Sequence, residues 1–169
     1  TYLEQDKDVL RYQGHAFTWI GFDELTQYPT PFAWNYLRGR LRTTHKDLIP
    51  FLSQSGTTNP GGPGHGWVKK MFIDPAPYDT EFPATNIEDE TPLLVPWGDT
   101  DFPEERWGTP LFYRRFIPAK LSDNPSLGYD YKANLLSLPE QQRRQMLDGD
   151  WMVSDGAAFP EYRRGTHVI

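Results

Sequence analysis

Two short polar groups in this chain each close an apolar run, and their residue types suit phosphate chemistry. Asp23-Glu24 follows Ala16-Phe17-Thr18-Trp19-Ile20-Gly21-Phe22, and Gly56-Thr57-Thr58-Asn59-Pro60 follows Leu48-Ile49-Pro50-Phe51-Leu52-Ser53-Gln54. Nucleotide hydrolases use an Asp at the end of a buried strand to reach Mg²⁺. A neighbouring Glu can orient or deprotonate the attacking water, and this strand edge is where open α/β sheets bind ligands. The plainer alternative is an Asp-Glu pair that only caps the next turn. One strand later, the hydroxyls of Thr57 and Thr58 and the amide of Asn59 stand where ring ATPases sense the γ-phosphate. Its plainer alternative is an ordinary turn with Asx chemistry and a proline stop.

Gly61-Gly62-Pro63-Gly64-His65-Gly66 contains the G-x-x-x-x-G spacing of a phosphate loop, but Trp67 stands where that loop needs Lys, and neither Lys69 nor Lys70 precedes Ser or Thr. It is therefore not a P-loop. Gly61 and Gly62 could still turn backbone N–H groups into an anion nest, with Lys69 nearby; a tight structural turn is the alternative. Arg38, Arg40 and Arg42 fall on a predicted helix. Arg40 and Arg42 are candidates for an arginine finger, and Arg11 is a rival. A DNA-facing role and a solvated helix end are the competing readings. Arg114-Arg115 and Arg143-Arg144 are weaker candidates for phosphate contacts. His15, His45, His65 and His167 lack metal-ligand spacing; His65 reads as a structural part of its turn. The tryptophans read as core rather than as a base-stacking surface, with Trp67, beside the glycine turn, as the exception.

These groups need a scaffold that brings them together. The run 16–22 lacks polar alternation, which predicts a strand buried on both faces. Thr30-Pro31 offers a helix start, and Phe32, Tyr36, Leu37 and Leu41 predict a helix over 31–43. A second strand is expected over 48–54, followed by a helix or strand over 67–73. Seven prolines between 74 and 110 suggest an irregular, acidic insertion packed by Phe82, Trp97, Phe102 and Trp107. A strand over 111–117 and helices over 129–136 and 139–147 complete the pattern.

The 169 residues can form a core, with 37% hydrophobic and 15% aromatic content, and there is no cysteine. Disulfides and thiolate metal sites are thereby excluded. The net charge is −6, which does not suit a simple nucleic-acid coat. Residues 1–110 carry nine Lys/Arg against sixteen Asp/Glu, whereas 111–169 carry eight against seven. No apolar run approaches the ~20 residues of a membrane span. Thr1 at the start and Val168-Ile169 at the end, the latter reading as a nascent strand, suggest a segment cut from a longer chain.

The ordered blocks resemble the large subunit of phage terminases. They are Tyr12-Gln13-Gly14, Ile20 to Gln27 (IGFDELTQ), Arg40-Leu41-Arg42, Thr58 to His65 (TNPGGPGH), Phe116-Ile117-Pro118-Ala119, Asp123-Asn124-Pro125, Leu138-Pro139-Glu140 and Gly149-Asp150-Trp151. The resemblance spans roughly residues 2–160. It implies an α/β, partial RecA-like P-loop NTPase fold with a helical linker subdomain. The expected division is an ATPase portion at 1–110, a linker at 111–152, and the start of a nuclease domain at 153–169. It implies Asp23 as the Mg²⁺ ligand, Glu24 as the water activator, and Thr57, Thr58 and Asn59 as the coupling motif. The implied cofactors are Mg²⁺ and ATP. The implied partners are double-stranded DNA, a portal protein, a small terminase subunit and further copies in a ring, in the host cytoplasm and without a membrane. Neither a Walker A motif nor the nuclease carboxylates occur in these residues; Asp148, Asp150 and Asp155 occupy linker positions. The 169-residue polypeptide is therefore expected to be inactive alone. The alternatives are a non-enzymatic DNA- or partner-binding protein and a different Asp-Glu nucleic-acid-dependent ATPase, such as a helicase.

Overall fold

The structure, a computed structural model, describes residues 3, 6–124 and 126–153. Pro125, Asp155, the expected nuclease start beyond Val153 and the expected terminal strand at Val168-Ile169 lie outside the described residues. Helices and small sheets mix, so the fold is α/β in the broad sense. Two compact units are present: one runs up to His65 and includes Met152 and Val153, the other is Gly66–Trp151.

In the first unit, β1 (Trp19–Phe22) and β2 (Ser53–Gly56) pair in parallel, with Trp19 opposite Ser53 and Phe22 opposite Gly56. Between them runs α1 (Phe32–Arg38), as a parallel pair requires a crossover. Thr30 begins it by accepting the Phe32 amide at 3.3 Å. Helix α1 buries Ala33, Trp34 and Leu37. Trp34 lies 5.3 Å from Phe22, centroid to centroid, and Gln54 Nε2 donates to the Trp34 carbonyl at 2.9 Å. Ile20, Phe22, Leu25 and Val9 complete this core.

Several expectations are corrected. Strand β1 is not buried on both faces: Ile20 and Phe22 point inward, but Trp19 is 61% exposed. Its indole lies over Gly21, where any Cβ would sit 2.4 Å from the ring. The apolar run therefore covers itself on its open side. The β1–β2 sheet has only these two strands among the described residues. Helix α1 stops at Arg38 rather than continuing to 43, because Gly39 is a poor helix former and Leu41 is drawn into a bridge with Phe17. The second strand starts at Ser53, since Lys46–Phe51 forms a 3-10 helix with Asp47 in its first turn and Pro50 inside. Residues 6–12 likewise form a 3-10 helix.

The second unit begins within α2 (His65–Val68), which continues as one turn of π-helix, Lys69–Ile73. The proline-rich stretch is more ordered than expected. Strand β3 (Glu81–Pro83) pairs antiparallel with β4 (Tyr113–Arg115), and bridges join Thr85 to Pro92 and Leu94 to Pro110. Proline is tolerated in such short edge pairings, where its missing N–H leaves no central ladder bond unmade. A boundary at residue 110 would therefore cut through a sheet. Phe82, Ala84 and Val95 are buried, whereas Trp97 is 79% exposed rather than packed inside. With Trp19 also exposed, the tryptophans divide between core (Trp34, Trp151) and surface. Helices α3 (Tyr129–Leu136) and α4 (Glu140–Leu147) pack together; Pro139 stands just before α4, and Gly149 follows it at φ 62°.

Candidate functional site

The parallel ladder continues past the ends of both strands. The Thr57 amide donates to the Phe22 carbonyl at 2.9 Å, and the Leu25 amide donates to the Thr57 carbonyl at 2.8 Å. This register sets Asp23 beside Thr57. The Thr57 hydroxyl donates to Asp23 Oδ1 at 2.5 Å, a short charge-assisted bond. The acid at the tip of one strand and the hydroxyl leaving the next, 34 residues apart, thus meet directly.

Glu24 bends the chain. It adopts φ 50°, ψ 56°, and so leads into a 3-10 turn, Leu25–Gln27. An L-residue in this left-handed region costs roughly 1–2 kcal/mol, and such strain clusters at functional sites. Asp23 and Glu24 are both exposed.

Sequence reasoning missed Thr26, which ties this turn to the loop after β2. It is 2% exposed. Its amide donates to Thr58 Oγ1 at 3.0 Å, its hydroxyl donates to the Asn59 carbonyl at 3.0 Å and accepts from the Thr58 hydroxyl at 3.1 Å. Its carbonyl accepts the Gly64 amide at 2.7 Å. Every polar group of Thr26 is therefore spent on the facing loop, and Thr57, Thr58 and Asn59 are held against the turn that carries Glu24. A lone threonine after Asp-Glu-Leu offers no pattern from which its partners could be read.

The glycine turn serves the same junction. The Gly61 amide donates to His65 Nδ1 at 2.9 Å, and the His65 amide donates to the Gly62 carbonyl at 3.2 Å. His65 is thus a turn-stabilising residue whose Nδ1 accepts within its own turn. Gly62 has φ 76°, and a Cβ there would approach the Thr26 carbonyl to 2.9 Å. The amides of Gly61, Gly64 and His65 are all donated within the turn, so of the two residues expected to form an anion nest Gly61 has its amide already engaged. Lys69, in the second unit, pairs with Asp74 instead of standing free for a phosphate.

The three arginines do not share a helix; only Arg38 lies on α1. The Arg40 guanidinium lies 4.9 Å from the Tyr36 ring centroid and donates to Tyr36 Oη at 3.2 Å. Arg42 Nη2 donates to the carbonyls of Gly14 and His15 at 2.9 and 3.3 Å. Both residues lie beside Phe17 and Leu41, at the end of the sheet away from Asp23.

Among the described residues no three His, Cys, Asp or Glu side chains cluster as a metal cage. Mg²⁺ bound with a nucleotide needs only one or two protein carboxylates, the remaining oxygens coming from phosphate and water. The exposed Asp23 carboxylate, one oxygen of which is held by Thr57, fits that donor requirement. No helix among the described residues is long and apolar enough to cross a membrane. In comparisons with known proteins, no family model, no curated protein and no solved structure matches this chain.

Proposed function

We propose that the chain is part of a phage terminase large subunit, a motor that couples ATP hydrolysis to translocation of double-stranded DNA into a procapsid, and that its first unit is part of a RecA-like sheet. The observation that carries this reading is the direct bond between Thr57 and Asp23 across a parallel strand pair connected by a helix. Hydrolysis-coupled motion requires that a group near the metal be mechanically joined to a loop able to respond.

In this reading Asp23 holds Mg²⁺, which supplies charge neutralisation at the phosphate oxygens. Glu24 accepts the proton of the attacking water or orients it. Thr57 holds the Asp23 carboxylate in place. Thr26 passes any shift at the Glu24 turn to Thr58 and Asn59, because its amide, hydroxyl and carbonyl all end on that loop. DNA, the portal, the small subunit and neighbouring copies are the partners this function requires.

The test is Glu24→Gln in a complete subunit with its Walker A loop. ATP turnover is expected to fall by a factor of about 10²–10⁴, the range supplied by a positioned general base, with ATP binding retained. The 169-residue chain alone, lacking a phosphate-loop lysine, is expected to show no turnover. Normal packaging by Glu24→Gln would remove Glu24 from its role and the reading with it.

A further inference from the structure

We infer that the Trp97 corner of the second unit is a docking surface for a basic peptide segment of a partner protein, with one Arg or Lys side chain of that segment seated on the exposed indole. Trp97 is 79% exposed, yet its surroundings hold it in place. One side of the ring lies against Gly108, where a Cβ would come within 2.9 Å of it. Trp107 stands beside it, with ring centroids 6.4 Å apart and planes at 64°. The backbone fixes this pairing: the Val95 amide donates to the Thr109 carbonyl, and the Gly108 amide donates to the Val95 carbonyl, both at 2.9 Å. Trp107 Nε1 donates to the Asp99 carbonyl at 2.9 Å, which closes the loop between the two rings. Leu94 and Pro96, on the same segment, are exposed as well. An indole backed by glycine and braced by a second indole offers contact area at little cost in side-chain ordering.

Charge decides what the ring receives. Between Thr91 and Pro110 the acids are Asp99, Asp101, Glu104 and Glu105, and the one base is Arg106. None of these four acids forms an ion pair among the described residues, and all but the half-buried Asp99 are exposed. They sit on the loop that carries both rings, with Asp99 two residues after Trp97 and Glu105 two residues before Trp107. Arg106 counts against them, and it is occupied by Thr109 Oγ1 at 3.2 Å and the Pro110 carbonyl at 3.3 Å. The bases on neighbouring elements do not change the balance: Lys70 pairs with Glu90, Arg115 pairs with Asp79, and Arg114 is buried. An excess of carboxylates repels a phosphate backbone, so base stacking is not the use this indole fits. A second copy docked by the same face would bring like charges together. A cation is attracted by both the ring face and the acids, and an Arg can stack on the one while donating to the other. The acids alone would attract any cation; the indole is what makes a seat for one side chain.

The inference is independent of hydrolysis at Asp23 and Glu24, and its test leaves that reading untouched. The 169-residue chain is titrated into a short fluorescein-labelled peptide alternating Gly with Arg, and anisotropy is followed as NaCl is varied. Saturable binding that weakens with salt is expected. Trp97→Ala should reduce affinity about two- to thirtyfold, the range for a cation seated on an indole, and Trp97→Phe should keep part of it. Asp101→Asn with Glu104→Gln and Glu105→Gln should flatten the salt dependence. In ¹H–¹⁵N spectra the indole N–H resonance that disappears in Trp97→Phe should shift as unlabelled peptide is added to the native chain. That shift decides the matter if Trp97→Ala fails to fold by circular dichroism, and its absence overturns the inference. So does native affinity in a folded Trp97→Ala chain, which would reduce the surface to unspecific charge attraction, or no saturable binding by the native chain. A single-stranded oligonucleotide that binds more tightly than the peptide and depends on Trp97 would make the ring a base-stacking platform. Self-association abolished by Trp97→Ala, without peptide binding, would make the occupant a second copy. Either result also overturns it.

Discussion

At Glu24 the backbone and the side chain make opposite demands. The left-handed φ of 50° favours glycine, yet the proposed chemistry requires a carboxylate there. Replacing Glu24 with Gly should relieve the steric cost, while glycine's greater freedom in the unfolded chain offsets part of the gain. Glu24→Gly is therefore expected to match or exceed native stability by up to about 1 kcal/mol, whereas Glu24→Ala gains nothing because alanine keeps the Cβ. Urea unfolding of the three proteins measures this directly. If Gly and Ala at this position proved equally stable, the turn would not be strained and Glu24 would need no functional reason to be there. Asp79 and Glu90 share this backbone region, each at φ 61°, so the cost at Glu24 is one it has in common with two other acidic turns.

At the level of elements, the strand pair was legible and its joinery was not. The run ending at Phe22 and the bend beginning at Gly56 are readable because an apolar run and a cluster of turn residues mark them, although β1 buries only one face and β2 is largely exposed. The same reasoning placed the second strand too early, since Leu48-Ile49-Pro50-Phe51 has strand-like composition but takes up a 3-10 helix whose end accommodates Pro50. It also buried Trp19, because composition cannot show that an indole lies across the glycine two residues on. Thr26 was invisible because its partners, Thr58 and Asn59, are more than 30 residues away in sequence. The joint makes a quantitative prediction. Thr26→Val keeps the shape but removes the hydroxyl that bridges Thr58 and Asn59, which keep only their mutual bond at 3.2 Å, for a loss of about 0.5–1.5 kcal/mol, and Thr26→Ser should recover most of it. Gly62→Ala forces a Cβ toward the Thr26 carbonyl and should also destabilise, by more than about 1 kcal/mol. Since both changes loosen the same contact, the double variant should lose less than the sum, with a coupling of about 0.5 kcal/mol or more. Strict additivity in a denaturant cycle would mean that the turn and the loop are not one mechanical piece.

Across the whole molecule, charge is handled differently in the two units. The first holds an exposed Arg42 and a half-buried Arg40 on neutral acceptors, Arg40 Nε being buried without one, whereas the second buries Arg114, which is 8% exposed. Arg114 donates from Nη1 to the Thr85 carbonyl at 3.1 Å and lies 5.8 and 5.7 Å from the ring centroids of Phe72 and Phe112. Its Nε finds no acceptor, and no carboxylate pairs with it among the described residues. Burial accordingly lowers its pKa from the ordinary guanidinium value to about 10. For a base, a lowered folded-state value means that the unfolded chain holds the proton more tightly. The charge therefore opposes folding at every pH below about 10, and the opposition fades only as pH rises from there toward the ordinary guanidinium value. What Arg114 contributes is the packing of its aliphatic stem and its stacking between rings. Arg114→Met keeps that volume without the charge, and the unit is expected to stay within about 1 kcal/mol of native stability or to exceed it. Arg114→Ala removes the volume and should cost about 2–4 kcal/mol, in the range of large-to-small core changes. Thermal and urea unfolding at neutral pH separate the two. If methionine proved as damaging as alanine, the guanidinium itself would be holding β3 and β4 together through Thr85, and the second unit would depend on a buried charge rather than tolerate one.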